Sequence, residues 1–326
     1  MPAITATYKN QFSRFQSLIA LVVLCIFLSI RAEGFLTPDN GLNVLRQTAV
    51  NICIATGMTL IVLTAGIDLS VGSVLALCGA IAAGLLKNGL KIPSADLFIG
   101  FTILGVVIAG ILIGALLGFF NGFVITKFKV PPFVATLAML TIARGFTMLY
   151  TKAQPISNLG SDFAVIGTGW WLGIPVPVWI AAAVVLVAVF ITQQTKLGRY
   201  IYAIGGNETA AKFSGINITK VKITVYAIGG ALAAIGGIIV TSRLNSAQPD
   251  AGNSYELDAI AAVVIGGTSL SGGKGTVLGT VMGALIIGVL NNGLVLLDVT
   301  PFWQQVVKGG VILLAVIIDK LGEKKE

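Results

Sequence analysis

Apolar residues gather into long runs separated by short polar stretches, and ten such runs predict helices at about 16–32, 47–65, 70–86, 97–125, 132–150, 175–192, 223–241, 257–270, 275–297 and 302–318. Most reach the roughly 17–25 residues that a helix needs to cross hydrocarbon. An even number puts both termini on one side of the bilayer. The fourth run, if helical throughout, would measure about 43 Å at 1.5 Å per residue, so it must tilt, bend or protrude. The eighth would measure only about 21 Å. That length predicts a half-helix or re-entrant piece, which protein or a watery cavity has to cover.

Two patterns refine this picture. Gly110, Gly114, Gly118 and Gly122 recur at intervals of four in the fourth run, clearing one helix face so that a neighbouring backbone can approach. Packing is the expected use. The loops GIDLSVG (66–72) and GTSLSGG (267–273) share glycine, Leu-Ser and glycine at one offset. Two inverted halves, about 16–165 and 166–320, would explain the echo, and broken helices at matching positions of such halves point to a transport path. Chance likeness between glycine-rich loops is the alternative.

Composition agrees with a chain that lives mostly in lipid. Of 326 residues 56% are hydrophobic and 10% charged, with no histidine, whereas soluble proteins carry about 25% charge. The net charge of +8 lies in short loops rather than in a patch on a folded domain, so nucleic acid is not the expected partner. With the termini cytoplasmic, the inner segments hold thirteen basic residues: Lys9, Arg14, Lys127, Lys129, Lys196, Arg199, Lys212, Lys220, Lys222, Lys274, Lys320, Lys324 and Lys325. The outer ones hold six: Arg31, Arg46, Lys87, Lys91, Lys152 and Arg243. That bias orients the chain, and it puts Trp170, Trp171, Trp179 and Trp303 at the outer interface, where such rings settle. Cys25, Cys53 and Cys78 fall in apolar runs and read as core residues. Arg31 and Glu33 stand where a leader would need small residues for cleavage, so the first run is expected to stay as a span.

The loop GGTSLSGGKGT (266–276) raises the question of nucleotide binding. A phosphate-binding loop needs Gly, four residues, then Gly-Lys-Ser/Thr. Counting back from Gly273 and Lys274 puts Thr268 at the first glycine position, and Gly275 follows the lysine. The pattern fails at both ends. No HExxH, serine elbow or metal-ligand cluster is present either, so the chain reads as no enzyme and as binding no cofactor.

The longest inner loop, 193–222, carries a short pattern with helical start and stop signals: Asn207 as N-cap, Glu208 in the first turn, Ala210, Ala211 and Phe213, then Gly215. Two turns of helix are unstable alone in water. The pattern therefore predicts a helix that docks on a surface.

These residues converge on a family. GIDLSVGS (66–73), GRYIYAIGGNETAAKFSGIN (198–217), SAQPDAGNSYELDAIAAVVIGGTSLSGGKGT (246–276) and GALIIGVLNNGLVLL (283–297) resemble the permease subunits of bacterial sugar ABC importers of the ribose type. The resemblance runs from about Leu18 to Asp319. It implies an all-α polytopic membrane protein, a single transmembrane permease domain over 1–326 with about ten helices, lodged in inner-membrane lipid and paired with a second copy. It also implies a cytoplasmic ATPase with two fused nucleotide-binding domains, which holds ATP and Mg, and a periplasmic sugar-binding protein. The docking helix corresponds to the family's coupling helix, so the resemblance gives that role to Gly206, Asn207, Glu208, Ala210, Ala211, Lys212, Gly215 and Ile216.

Charges at membrane depth are costly unless paired or wet. Asp68, Ser70 and Ser73, with Thr268, Ser269 and Ser271 in the second loop, are candidates for the translocation path or a helix break. For Asp68 the preferred reading is a cap on the third helix. Arg144 and Lys308 are expected to snorkel or pair. A neutral sugar requires no charged site, so a permissive cavity is expected. The rival is an ion-gradient-driven secondary transporter of a small polar solute. Against it stand the absence of histidine and a reading of Asp68 as the one clear carboxylate within the spans.

Overall fold

The computed structural model describes residues 2–92 and 97–323, with side chains described for 17–90 and 98–317. Lys9, Arg14, Lys91, Lys320, Lys324 and Lys325, counted above for orientation, lie outside the described side chains. Among the described residues the chain forms helices α1 (Pro2–Arg31), α2 (Pro38–Leu63), α3 (Val71–Asn88), α4 (Ile103–Lys127), α5 (Pro132–Thr151), α6 (Ser161–Thr168) and α7 (Val176–Gln194). They continue as α8 (Lys196–Gly206), α9 (Glu208–Phe213), α10 (Ile218–Arg243), α11 (Tyr255–Ile265), α12 (Val277–Leu296) and α13 (Pro301–Glu323). Seven of these, α2, α3, α4, α5, α7, α10 and α12, are long and apolar enough to cross a membrane. The apolar parts of α1 and α13, Ser17–Arg31 and Pro301–Ile317, are shorter.

Strands are small: β1 (Leu90–Ile92) pairs with β2 (Leu97–Ile99), β3 (Ile156–Ser157) with β6 (Ser246–Ala247), and β4 (Trp170–Trp171) with β5 (Ile174–Pro175), all antiparallel. The pair β1–β2 corrects the fourth predicted segment. Residues 97–102 are not helical, and the helix starts at Ile103 behind the Thr102 cap, whose hydroxyl accepts from Gly105 N. Helices α6 and α8 were not expected. The eighth segment is indeed short: α11 has eleven residues, and the two-residue strand Ser246–Ala247 followed by turns over 249–254 leads into it.

Helix α10 occupies the centre, packed on α4, α2, α3 and α6. The glycine row does what its spacing predicts. A Cβ at Gly114 would strike the Gly230 carbonyl, one at Gly118 the Tyr226 carbonyl, and one at Gly122 would lie 2.7 Å from Ile223 Cα. Leu104, Ile108, Leu112 and Leu116 stand exposed on the opposite face, the arrangement expected when the surrounding solvent is hydrocarbon. Cys53 and Cys78 lie in the main apolar core with Met58, Leu75 and Ala233. At the β4–β5 hairpin Trp179 packs edge-on to Trp171, Arg46 lies over the Trp170 ring, and both hairpin tryptophans are exposed.

Candidate functional site

Between α7 and α10 the chain folds into two short helices. Leu197, Ile201 and Ile204 recur at helical spacing, a signal passed over in the sequence reading, and they turn α8 inwards: Ile201 and Ile204 are fully buried. Thr195 caps α8 by accepting from Gly198 N. Asn207 ends α8 and caps α9, its Oδ1 accepting from Ala210 N at 2.9 Å. The helix stops in a Schellman motif: Ile216 N donates to Ala211 O, Gly215 N to Lys212 O, and Gly215 takes φ of 82°. Both predicted signals therefore hold in the structure.

The eight predicted coupling residues divide between two faces. Ala211 is buried with Leu60, Leu63, Ile201 and Val225, and Ile216 packs against the same cluster. Gly206, Asn207, Glu208, Ala210, Lys212 and Gly215 are exposed. Glu208 pairs with Lys222 of α10 at 2.7 Å. Phe213, absent from the predicted set, is 87% exposed at the end of α9.

Loop 266–276 lies against this unit. Gly273 N donates to Leu63 O at 3.0 Å, so it satisfies a carbonyl left over at the end of α2. Gly205 packs so close to Leu63 O and Gly273 N that a Cβ there would collide with both. Tyr202 Oη donates to Gly275 O at 2.9 Å, and burial pushes its phenol above the usual range, keeping it a donor. Of the loop's other N–H groups, those of Gly266, Gly267 and Thr268 return to the α11 carbonyls of Ala262, Val264 and Val263, and Ser269 N donates to Lys274 O, Gly272 N to Ser269 O and Ser271 N to Ser269 Oγ. They cannot cradle a phosphate. Thr268 and Ser269 are buried and Ser271 is exposed.

The first loop forms a separate polar knot. Asp68 Oδ1 accepts from Ser70 N at 2.8 Å and from Ser70 Oγ at 2.6 Å; Asn121 of α4 donates to Ser70 Oγ, and Ser73 Oγ donates to Ser70 O. Thr136 of α5 and Tyr226 of α10 bond the backbone at Leu69 and Ile67. The capping expectation needs correction: Ser70 occupies the N-cap of α3, and Asp68 holds Ser70 rather than the first-turn amides. All three side chains are buried. Gly272 packs on Ala65, the residue before Gly66, so the first loop starts beside the second, at the same end of α2. Loops related by inversion would lie at opposite ends, so their likeness does not support inverted halves.

Other polar contacts lie deeper. Lys308 of α13 reaches Asp258 of α11 at 3.1 Å, which corrects the count of one carboxylate within the spans. Arg144 of α5 donates to the carbonyls of Pro249 and Ala251 at 2.8 and 2.9 Å. Both basic residues are thus satisfied by protein. Asp250 and Glu256 were legible as charges between two apolar runs, and Asp258 as a charge just inside the second.

The family model described as "Branched-chain amino acid transport system / permease component" matches residues 40–316. A ribose import permease protein of Haemophilus influenzae is 54% identical over 97% of this chain and 99% of its own length. The ribose import permease proteins of Escherichia coli K12 and Bacillus subtilis 168 are 50% and 51% identical, each over 93% of this chain and over 92% and 91% of their own lengths. No solved structure matches.

Proposed function

The chain belongs to the permease family of branched-chain amino acid transport systems, and from that membership we propose that it is the membrane subunit of an ATP-driven importer that admits ribose. The observation that carries the sugar is identity of about half to ribose import permeases along nearly the whole chain. As a permease component it is not itself an ATPase. A periplasmic binding protein delivers the sugar, and two copies of the chain stand over a cytoplasmic ATPase with two fused nucleotide-binding domains, which holds ATP and Mg.

Ten spans follow if α1, α13 and the non-helical lead-in plus α11 are added to the seven long helices. The basic residues and the outer tryptophans favour cytoplasmic termini in the inner membrane. Two inverted halves, 16–165 and 166–320, are supported by helix packing rather than by the similar loops. Matching α2–α5 to α10–α13 converts the contact α10–α4 into α2–α12, α10–α3 into α2–α11, α3–α5 into α11–α13, and α3–α4 into α11–α12. All of these contacts occur. Both α2 and α10 have 26 residues, and a helix break follows each.

Coupling works by population shift. ATP binds best when the ATPase halves are closed, so its binding energy favours the permease state compatible with closure, and hydrolysis resets it. Helix α9 carries the movement outward on Glu208, Ala210 and Lys212, with Gly206, Asn207 and Gly215 shaping the turn and Ala211 and Ile216 seating it on the bundle. Loop 266–276, with Thr268, Ser269 and Ser271, joins that movement to α2, α11 and α12. Asp68, Ser70 and Ser73 hold the helix break before α3. Uptake of ribose into sealed vesicles, with ATP but no ion gradient, tests the reading. Uptake that needs a proton or sodium gradient and ignores ATP would favour a secondary transporter.

A further inference from the structure

One inference rests on the reading as a ribose-type permease and goes beyond it. Arg144 lies twelve residues after the first residue of α5, about 18 Å along a span at 1.5 Å per residue. Its guanidinium staples the carbonyls of Pro249 and Ala251, the two neighbours of Asp250. The non-helical turns before α11 are thereby held at membrane depth, where Gly72 at the start of α3 closes on the Gly252 carbonyl. At this depth Asp250 and Asn253 are exposed, and Glu256 is half-buried with Arg144 as an electrostatic neighbour.

Hydrocarbon does not tolerate that surface. Intramembrane acids face the bundle interior or a watery cavity, and non-helical backbone at depth needs protein or water over it. The hydrophobic face of α4 at Leu112 marks what a lipid-facing surface looks like in this chain. Carboxylates accept hydrogen bonds, and an asparagine amide both donates and accepts. Together they suit a neutral solute with several hydroxyl groups, and Arg144 offsets the acids' charge.

We infer that Asp250, Asn253 and Glu256 line the aqueous path and exchange hydrogen bonds with the hydroxyls of the passing sugar, and that Arg144 is the positioning residue that holds their segment in place.

The test uses the complete importer, with its ATPase and binding protein, in sealed vesicles. Asp250→Cys, Asn253→Cys and the lipid-face reference Leu112→Cys are treated with a membrane-impermeant charged thiol reagent on both sides, after subtraction of the wild-type background. Thiolates form in water, so each path cysteine is expected to react at least about tenfold faster than the reference. Ribose should slow that reaction. Arg144→Met should abolish the protection at Asn253→Cys, and Arg144→Lys should restore part of it. Reaction no faster than at Leu112→Cys would mean a dry surface sealed by the second copy, and reaction unaffected by ribose would mean a wet wall that the sugar does not touch. Either result overturns the inference, and either cysteine variant alone decides it. Wild-type vesicles separate the two levels. ATP-driven ribose uptake with unreactive cysteines defeats only this inference, whereas absence of that uptake defeats the permease reading as well.

Discussion

Gly273 donates its backbone N–H to the carbonyl of Leu63 at 3.0 Å, and Gly205 closes over the same pair. Helix α2, helix α8 and the loop before α12 are thus fastened at one point. Gly205→Val puts a branched side chain against backbone that has no rotamer to yield, a misfit expected to cost about 1–3 kcal/mol. Gly273→Ala is expected to cost about 1–2 kcal/mol, because its φ of 72° is left-handed. Thermal unfolding of the detergent-solubilised protein measures both, and unchanged melting of either variant would contradict the fastening.

Tyr202→Phe removes one hydrogen bond to Gly275 and should lower stability by about 1 kcal/mol. The sign of its pH dependence follows from the raised phenol pKa. The folded state favours the protonated form, so the contribution is complete below the unfolded value of about 10 and fades as pH rises through the folded one. Melting curves of wild type and variant should stay apart at neutral pH and converge in strong alkali.

Phe213→Ala should leave the melting temperature of the isolated permease unchanged, because the ring is exposed. Its retention of the ATPase during co-purification should weaken by about 2 kcal/mol, the scale of an interface hot spot. Full retention would remove Phe213 from the docking surface.

Gly114→Leu forces a side chain into the α10 backbone and is expected to destabilise by about 1–3 kcal/mol. Leu112→Ala, on the opposite, exposed face, should be nearly silent. Equal effects on thermal stability would show that the glycine row is not the packing face.

Lys308→Met leaves the Asp258 carboxylate buried without its cation, at an expected cost of about 3–5 kcal/mol. Adding Asp258→Asn to the same chain should recover most of that loss. A double-mutant cycle in unfolding midpoints reads the coupling, and strict additivity would mean that the two groups do not interact.

Hydropathy located the spans because the length of an apolar run and the thickness of hydrocarbon are both local quantities. It failed at 97–102 because Phe98, Ile99 and Phe101 read as apolar whether they continue a helix or belong to a hairpin and linker. Asn207, Gly215 and the glycine row of α4 were legible for the same reason: caps and helix faces act within a turn or two.

Pairing is different. Nothing local says that Asn121 would reach Ser70, that Lys308 would meet Asp258, or that Arg144 would grip the carbonyls beside Asp250. A buried donor or acceptor needs a partner, and in lipid water seldom supplies one, so each polar group takes whichever group the packed helices bring near. The sequence by itself determined roughly where the long helices run and how α9 starts and stops, because backbone hydrogen bonds and hydrophobic length are settled between near neighbours. Tertiary structure alone decided which polar groups meet and which acids stay uncovered, because those outcomes depend on contacts between residues up to hundreds of positions apart.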